Sequence, residues 1–375
     1  MAGRNYAIDV LKLGLMGLIF TYHTYDFMED NTWLRERFFP NGLGWISVHI
    51  FFAISGFLMM KSYFRDAEKT PPETSGRNTA RFVFRKFTGI APQYYTALVI
   101  SWAVYIASMK EQLSLGFLSS LSYNLLPEAL LLNRGGMDPV FTNLPTWYIQ
   151  AMLLCMIPMY YLLSRNRDLF MYVITPLGGL FALAFMFNQD PMFIGNGGTE
   201  HIIPNGMIRG FAGLFSGCIA FVLYRQITKY RYTRLQKTLL TVLEAVIYIW
   251  MLMGCFTAHS DGKGHFLAML LIVPALALTF SGESWLAVLF SSPKLKFVSS
   301  LTTTIYFNHW SARRIVMTWF PGMSYKRSVA YMAAFTVVLC IVYWLILTVC
   351  RKLAGGCLKK LFTFTPKMSS KKLPE

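Results

Sequence analysis

Stretches of roughly twenty residues dominated by apolar side chains recur along the chain, and this repetition limits the fold more than any other feature. A helix rising about 1.5 Å per residue needs about twenty apolar residues to cross the ~30 Å hydrocarbon core of a bilayer, where the backbone must satisfy its own hydrogen bonds. The stretches fall at 8–27, 44–62, 88–108, 144–163, 169–187, 206–224, 238–256, 266–281, 297–312 and 329–349. The expected fold is all-α, a polytopic helical membrane protein with about ten transmembrane helices. Apolar residues make up 55% of the 375, in keeping with that class. The first stretch is too long for a signal-peptide core and continues into the aromatic, acidic 21–30, so it is expected to be retained.

In a soluble protein a net charge of +17 would raise nucleic acid as a partner. The distribution argues against it. With the N-terminus inside, 25 of the 35 Lys and Arg fall in the segments 1–12, 61–86, 165–167, 225–237, 294–296 and 351–372. That is the positive-inside bias, and it places both termini in the cytoplasm. The expected partner is the lipid bilayer, with no nucleic acid. Residues 1–350 read as one transmembrane domain and 351–375 as a basic cytoplasmic tail resting on anionic lipid.

Ionisable groups inside the first stretch carry the functional argument. Asp9, Lys12 and His23 lie within it, and such groups at membrane depth cost a few kcal/mol and mark functional sites by default. Lys12 and His23 are eleven residues apart, which at about 100° per residue puts them on nearly one helix face, roughly 16 Å apart along the axis. Asp26, three residues further, is close enough on a helix to touch the His23 ring. A polar path through the bilayer is one reading of this stripe; a satisfied histidine in a polar helix contact is the other.

The remaining segments say less. Residues 65–81, with Pro71, Pro72, Ser75 and Gly76, read as a flexible inner loop. The apolar stretch 113–132, broken by Asn124 and Pro127, reads as an interfacial or re-entrant piece, with an extra helix as the alternative. The six cysteines are scattered and read as small apolar packers. No metal is expected: Glu200-His201 and Asp261-His265 lack a third ligand at metal spacing. Interface anchoring accounts for Trp45, Trp102, Trp250 and Trp344, and leaves Trp147 and Trp310 open. Ser55-Gly56 suits a close helix contact better than a nucleophile.

Four blocks, in order, resemble the acyltransferase-3 family of integral membrane acyltransferases. They are RNYAIDVLKLGLMGLIFTYH from Arg4, GWISVHIFFAISGFLM at 44–59, FVFRKFTGIAPQYY at 82–95 and SSLTTTIYFNHW at 299–310, with weaker support from TWYIQAML and MIRGFAGLFSG. Arg4, Asp9, Lys12 and His23 align with the family's opening Arg, Asp, Arg and His. Three positions depart from the pattern. Lys12 replaces Arg, keeping the charge without the bidentate fork. Gly89 stands where many members have the second Arg of an Arg-x-x-Arg pair, leaving Arg81, Arg85 and Lys86 as the local cations. His49 stands where Asp is usual.

The resemblance implies O-acyl transfer, usually O-acetylation, from cytoplasmic acyl-CoA (acetyl-CoA) to a hydroxyl of a cell-surface glycan or its precursor, in polysaccharide modification. Acyl-CoA is the co-substrate and no bound cofactor is expected. A sugar hydroxyl needs a base with a pKa near the working pH, and histidine fits, oriented by a carboxylate. His23 is the candidate base, or else the carrier of the acyl group, with Asp26 as its orienting partner. Lys12, Arg81, Arg85 and Lys86 are candidates for the donor's phosphates and Trp147 for stacking in the donor channel. Asp9, Ser55 and His309 are candidate lining residues, a structural role being favoured for His309. The expected location is a bacterial plasma membrane, multi-pass, with the glycan acceptor outside and a partner protein conceivable for onward transfer. The rival from another class is a transporter or flippase for a glycan or lipid-linked sugar, since intramembrane charges mark transport paths too. A receptor-like scaffold gives Lys12 and His23 no purpose.

Overall fold

The structure is a computed structural model, and it describes residues 5–28, 43–67, 74–109, 114–132, 142–189, 204–254, 263–290 and 292–353. Every regular element among these is helical. The longer helices are α1 (Tyr6–Tyr22), α2 (Leu43–Ala67), α3 (Ser75–Ser108), α4 (Leu115–Ala129), α5 (Trp147–Arg165), α6 (Thr175–Gln189), α7 (Asn205–Ile227), α8 (Arg234–Gly254), α9 (Lys263–Ser281), α10 (Lys296–Trp319) and α11 (Tyr325–Leu353). Six of the described helical stretches are long and apolar enough to cross a membrane.

Helix α7 is the centre of the bundle and packs on α2, α5, α6 and α9. Small residues make this possible. A methyl group added to Gly217 would overlap the Ala53 carbonyl, and one on Gly56 would overlap the Leu214 carbonyl, so the α2 and α7 backbones touch directly. In lipid, where helices gain little by hiding apolar surface from one another, such close approach is a main source of association. The Ser55-Gly56 step therefore serves packing, and the Ser55 hydroxyl is engaged with Tyr148 Oη at 2.8 Å. Further along α2, Phe57 stacks on Phe280 of α9 with ring centroids 3.6 Å apart. Helix α8 lies at the periphery, presenting Leu235, Leu239, Leu243 and Val246 outward.

On the other side, α1 lies between α2 and α10, and α10 also contacts α3 and α11. Asn5 caps α1 by accepting from the Ala7 amide at 3.0 Å while its amide donates to the Thr279 carbonyl at 2.7 Å.

Among the boundaries that differ from expectation, three matter most here. Helix α1 stops at Tyr22, with His23 as its C-cap and a 3-10 turn at Tyr25–Phe27, so the regular helix does not carry Asp26 onto the His23 face. Helix α3 begins at Ser75, thirteen residues early, because Phe82 stacks on Tyr160 of α5 at 4.0 Å and gives the basic segment something to pack against. The stretch 113–132 contains a real helix, α4, capped by the Ser114 hydroxyl and stopped just past Pro127. Residues 354–375, which hold most of the expected basic tail, lie outside the described residues, as do Arg4 and the Glu200-His201 pair.

Candidate active site

The ionisable residues sort to two ends of the bundle. At one end, Lys12 of α1 and Lys86 of α3 lie within electrostatic range of each other, joined by Arg65 and Arg85. Lys86 is half-buried, with its ammonium 5.7 Å from the Phe82 ring centroid. Arg85 and Arg65 both hold Asp66 at the end of α2, Arg85 at 2.5 Å and Arg65 at 3.0 Å. Arg85 also donates to the Ser62 hydroxyl at 3.0 Å. Arg81 is exposed. Of the cations expected to meet phosphate, the structure thus gathers Lys12, Arg85 and Lys86 and gives Arg85 a carboxylate partner that the sequence reading did not include. Asp9 is buried near the same end of α1.

The other end holds two imidazoles in contact. The His23 and His309 ring centroids are 5.3 Å apart, and the edge of Trp310 closes on His23 at 5.0 Å. His23 is half-buried and faces α10. His309 is fully buried, and its Nδ1 lies 2.9 Å from the Tyr306 carbonyl and 3.1 Å from that of Ile305. Carbonyls only accept, so in the neutral ring Nδ1 carries the proton and Nε2 keeps the lone pair. That Nε2 is buried and has no hydrogen-bond partner. His309, favoured as structural, is thus held by its own helix in one tautomer, with its ring beside that of the candidate base.

Asp26 does not play the part expected of it. Its carboxylate pairs with Arg313 of α10, whose guanidinium carbon sits 4.4 Å from the Trp310 ring centroid. Asp26 thus meets Arg313, and Arg313 lies over Trp310, whose edge closes on His23. The physical reason is the early end of α1, which lets the chain turn away before Asp26 can come round to the imidazole.

Trp147 also belongs to the imidazole end. Tyr160, level with Phe82 and Lys86, is thirteen residues along α5 from Trp147, which is about 20 Å of helix. One neighbour of the Trp147 ring is the guanidinium of Arg209, 5.5 Å from its centroid, and a Cβ on Gly206 would touch its edge at 3.2 Å. Arg209 is the residue that sequence reasoning passed over. It is 2% exposed, within electrostatic reach of Tyr22 and of His49. Its signal was the one that singled out Lys12, an ionisable side chain inside a membrane-length helix. His49 is fully buried, its Nε2 3.4 Å from the Ser216 hydroxyl.

A buried polar network holds these parts in place. Glu128 of α4 accepts from the Thr142 hydroxyl at 2.7 Å, the Thr142 amide at 3.2 Å and the Asn143 amide at 3.0 Å. Asn143 in turn donates to the Phe307 carbonyl at 2.8 Å and the Ser101 hydroxyl at 3.0 Å, and Ser101 meets Ser311 at 2.9 Å. Tyr306 donates to the Pro145 carbonyl. The loop leading into Trp147 is therefore fastened to α10 within a turn of His309. No cluster of three metal-ligating side chains occurs among the described residues.

The described residues thus form a helical bundle with two imidazoles in contact, one held in a single tautomer, a buried arginine on tryptophan, and a separate basic end. The acyltransferase domain family matches residues 5–349, nearly the whole chain, and the chain belongs to that family. It is an acyltransferase. No curated protein and no solved structure matches the chain.

Proposed function

We propose that this acyltransferase moves an acyl group, acetyl in the simplest case, from acyl-CoA at the basic end to a hydroxyl at the imidazole end, the acceptor being a cell-surface glycan or its precursor. The observation that carries the reading is the His23–His309 contact, made where α1 ends, about 16 Å along that helix from Lys12. An extended thioester has its phosphates among Lys12, Lys86 and the Arg65–Arg85 pair, and its acyl carbon by the imidazoles. His23, the less buried ring, takes the proton of the acceptor hydroxyl as its oxygen attacks the thioester carbonyl. The C–S bond breaks, the C–O ester bond forms, and the imidazolium returns the proton to the leaving thiolate. His309, with Nδ1 tied to backbone, supports the ring that gains charge. Arg209 on Trp147 offers a cation to the developing oxyanion.

The positive-inside bias puts the basic end in the cytoplasm and the imidazole end on the outer side of a bacterial plasma membrane. The test uses membranes containing the full chain, radiolabelled acetyl-CoA and a cell-envelope glycan fraction. His23→Ala should lower transfer by about 10²- to 10⁴-fold, the usual reach of general acid–base catalysis, with protein abundance in the membrane unchanged. His309→Ala should follow it, and His309→Gln should recover nothing. Near-normal turnover in His23→Ala would reject the assignment.

A further inference from the structure

A groove of about 820 Å³ runs between α1, α10 and α11, lined among others by Phe20, Gly17, Ile305, Val337 and Ile341. On α11 it extends from Ala333 to Thr348, which is about 22 Å of helix and longer than one leaflet's share of the ~30 Å hydrocarbon core. Its wall offers almost nothing polar. The Thr21 hydroxyl turns back to the Gly17 carbonyl at 3.0 Å and the Thr336 hydroxyl to the Met332 carbonyl at 2.7 Å, so both leave their methyl groups to the groove. Val337, Ile341 and Leu345 are each more than half exposed, so the groove opens sideways, where a membrane protein meets lipid.

Two observations point to an occupant. Gly17 lies mid-helix, where glycine costs about 1 kcal/mol relative to alanine. In membrane helices small residues usually admit a neighbouring helix, yet a Cβ built on Gly17, or on Gly14 one turn before, meets no atom within 4 Å. Gly17 therefore keeps open a space that no described residue fills. The groove also borders the residues that hold the imidazoles. Phe20 lines it and packs on the His309 ring at 6.4 Å, and the Ile305 carbonyl that receives His309 Nδ1 belongs to a residue of its wall.

We infer that the groove seats the hydrocarbon tail of a lipid-anchored acceptor, a membrane lipid whose headgroup carries the hydroxyl to be acylated beside His23. This rests on the acyltransferase reading and narrows it, replacing a free glycan by a hydroxylated lipid or lipid-linked sugar. A molecule already dissolved in the bilayer reaches a lateral groove by diffusion in the membrane plane. The chemistry balances as above: thioester C–S broken, ester C–O formed on the headgroup, and the hydroxyl proton passed through His23 to the thiolate.

The experiment reconstitutes the full chain in vesicles of phosphatidylethanolamine and phosphatidylglycerol, doped with phosphatidylglycerol bearing a photoactivatable diazirine in its acyl chain. After illumination, peptides containing Leu13–Thr21 and Ala333–Thr348 should carry well more label than the lipid-facing Leu235–Val246 of α8. Gly17→Phe and, from the opposite wall, Ile341→Trp should each bring the groove peptides down to the α8 level. In parallel, labelled acetyl-CoA is supplied with either the total lipid extract or the water-soluble glycans of the producing cell. Ester label should appear in the lipid extract, and both variants should lower it about tenfold or more, since losing burial of two methylenes costs about tenfold in affinity. Equal labelling of groove and α8, or label only in water-soluble glycans, would overturn the inference. Groove labelling by a diazirine-bearing palmitoyl-CoA instead of the lipid would overturn it as well. Loss of His23 without loss of transfer would instead overturn the catalytic reading and leave the lipid labelling standing, so the two failures are distinct.

Discussion

Removing the Glu128 carboxylate tests whether the buried network positions the imidazole end. Oε2 accepts the Thr142 amide and hydroxyl and, at 3.5 Å, the Trp102 indole N–H, and Oε1 accepts the Asn143 amide, so alanine strands two backbone donors, a hydroxyl and the weakly held indole N–H. Each buried unsatisfied donor costs about 1–3 kcal/mol, so Glu128→Ala should cost about 3–6 kcal/mol, allowing for partial relaxation. Glutamine separates the effects. With its oxygen in the Oε2 position it keeps both Thr142 bonds, and its NH₂ faces only the Asn143 amide, for a cost of about 1–3 kcal/mol. The functional consequence follows the geometry, because Asn143 ties the loop before Trp147 to the Phe307 carbonyl, two residues from His309. Thermal unfolding of purified protein in detergent should rank wild type above Glu128→Gln above Glu128→Ala. Transfer measured well below the melting range should fall in the same order, with kcat affected more than KM for acyl-CoA. The reasoning is refuted if Glu128→Ala melts with wild type, or if it melts low yet transfers at the wild-type rate.

Two further predictions concern the ion pairs. Asp66→Asn releases Arg85 and Arg65 at the basic end; with partly exposed pairs worth about 0–1 kcal/mol, KM for acyl-CoA should fall by at most about fivefold with kcat unchanged, and a rise in KM would show that the pair itself builds the site. Asp26→Asn leaves Arg313 over Trp310 without its carboxylate, and since Asp26 is 43% exposed the loss of transfer should stay below about tenfold, far short of His23→Ala. An Asp26→Asn defect equal to that of His23→Ala would mean that Asp26 acts on the imidazole directly.

Much of the architecture was legible because membrane physics writes it into composition. A span must be apolar for about twenty residues, and the helices α2, α5, α6, α7, α8 and α11 recur where those stretches lie. Helix ends were less legible. Nothing local in 75–87 announces a helix; Tyr160, far along the chain, supplies the stacking surface for Phe82. The site was legible in part for the same reason. His23 and Lys12 stand out as ionisable groups in apolar sequence, and Arg209 carried that signal unheeded. His309 was legible only as a candidate lining residue, since a histidine in apolar sequence reads alike whether Nδ1 meets a neighbouring helix or its own backbone.

What the sequence determined alone was the solvent and the class: runs this long and apolar fold only as bilayer-spanning helices, and the ordered blocks from Arg4 to Trp310 point to one family. What the tertiary structure decided was partnership. Asp26 went to Arg313, Arg209 to Trp147, and His23 to His309, because each contact joins helices distant in the chain. Spacing along one helix reports which residues share a face, but which helix that face meets depends on backbone approach, set here by glycines such as Gly56 and Gly217.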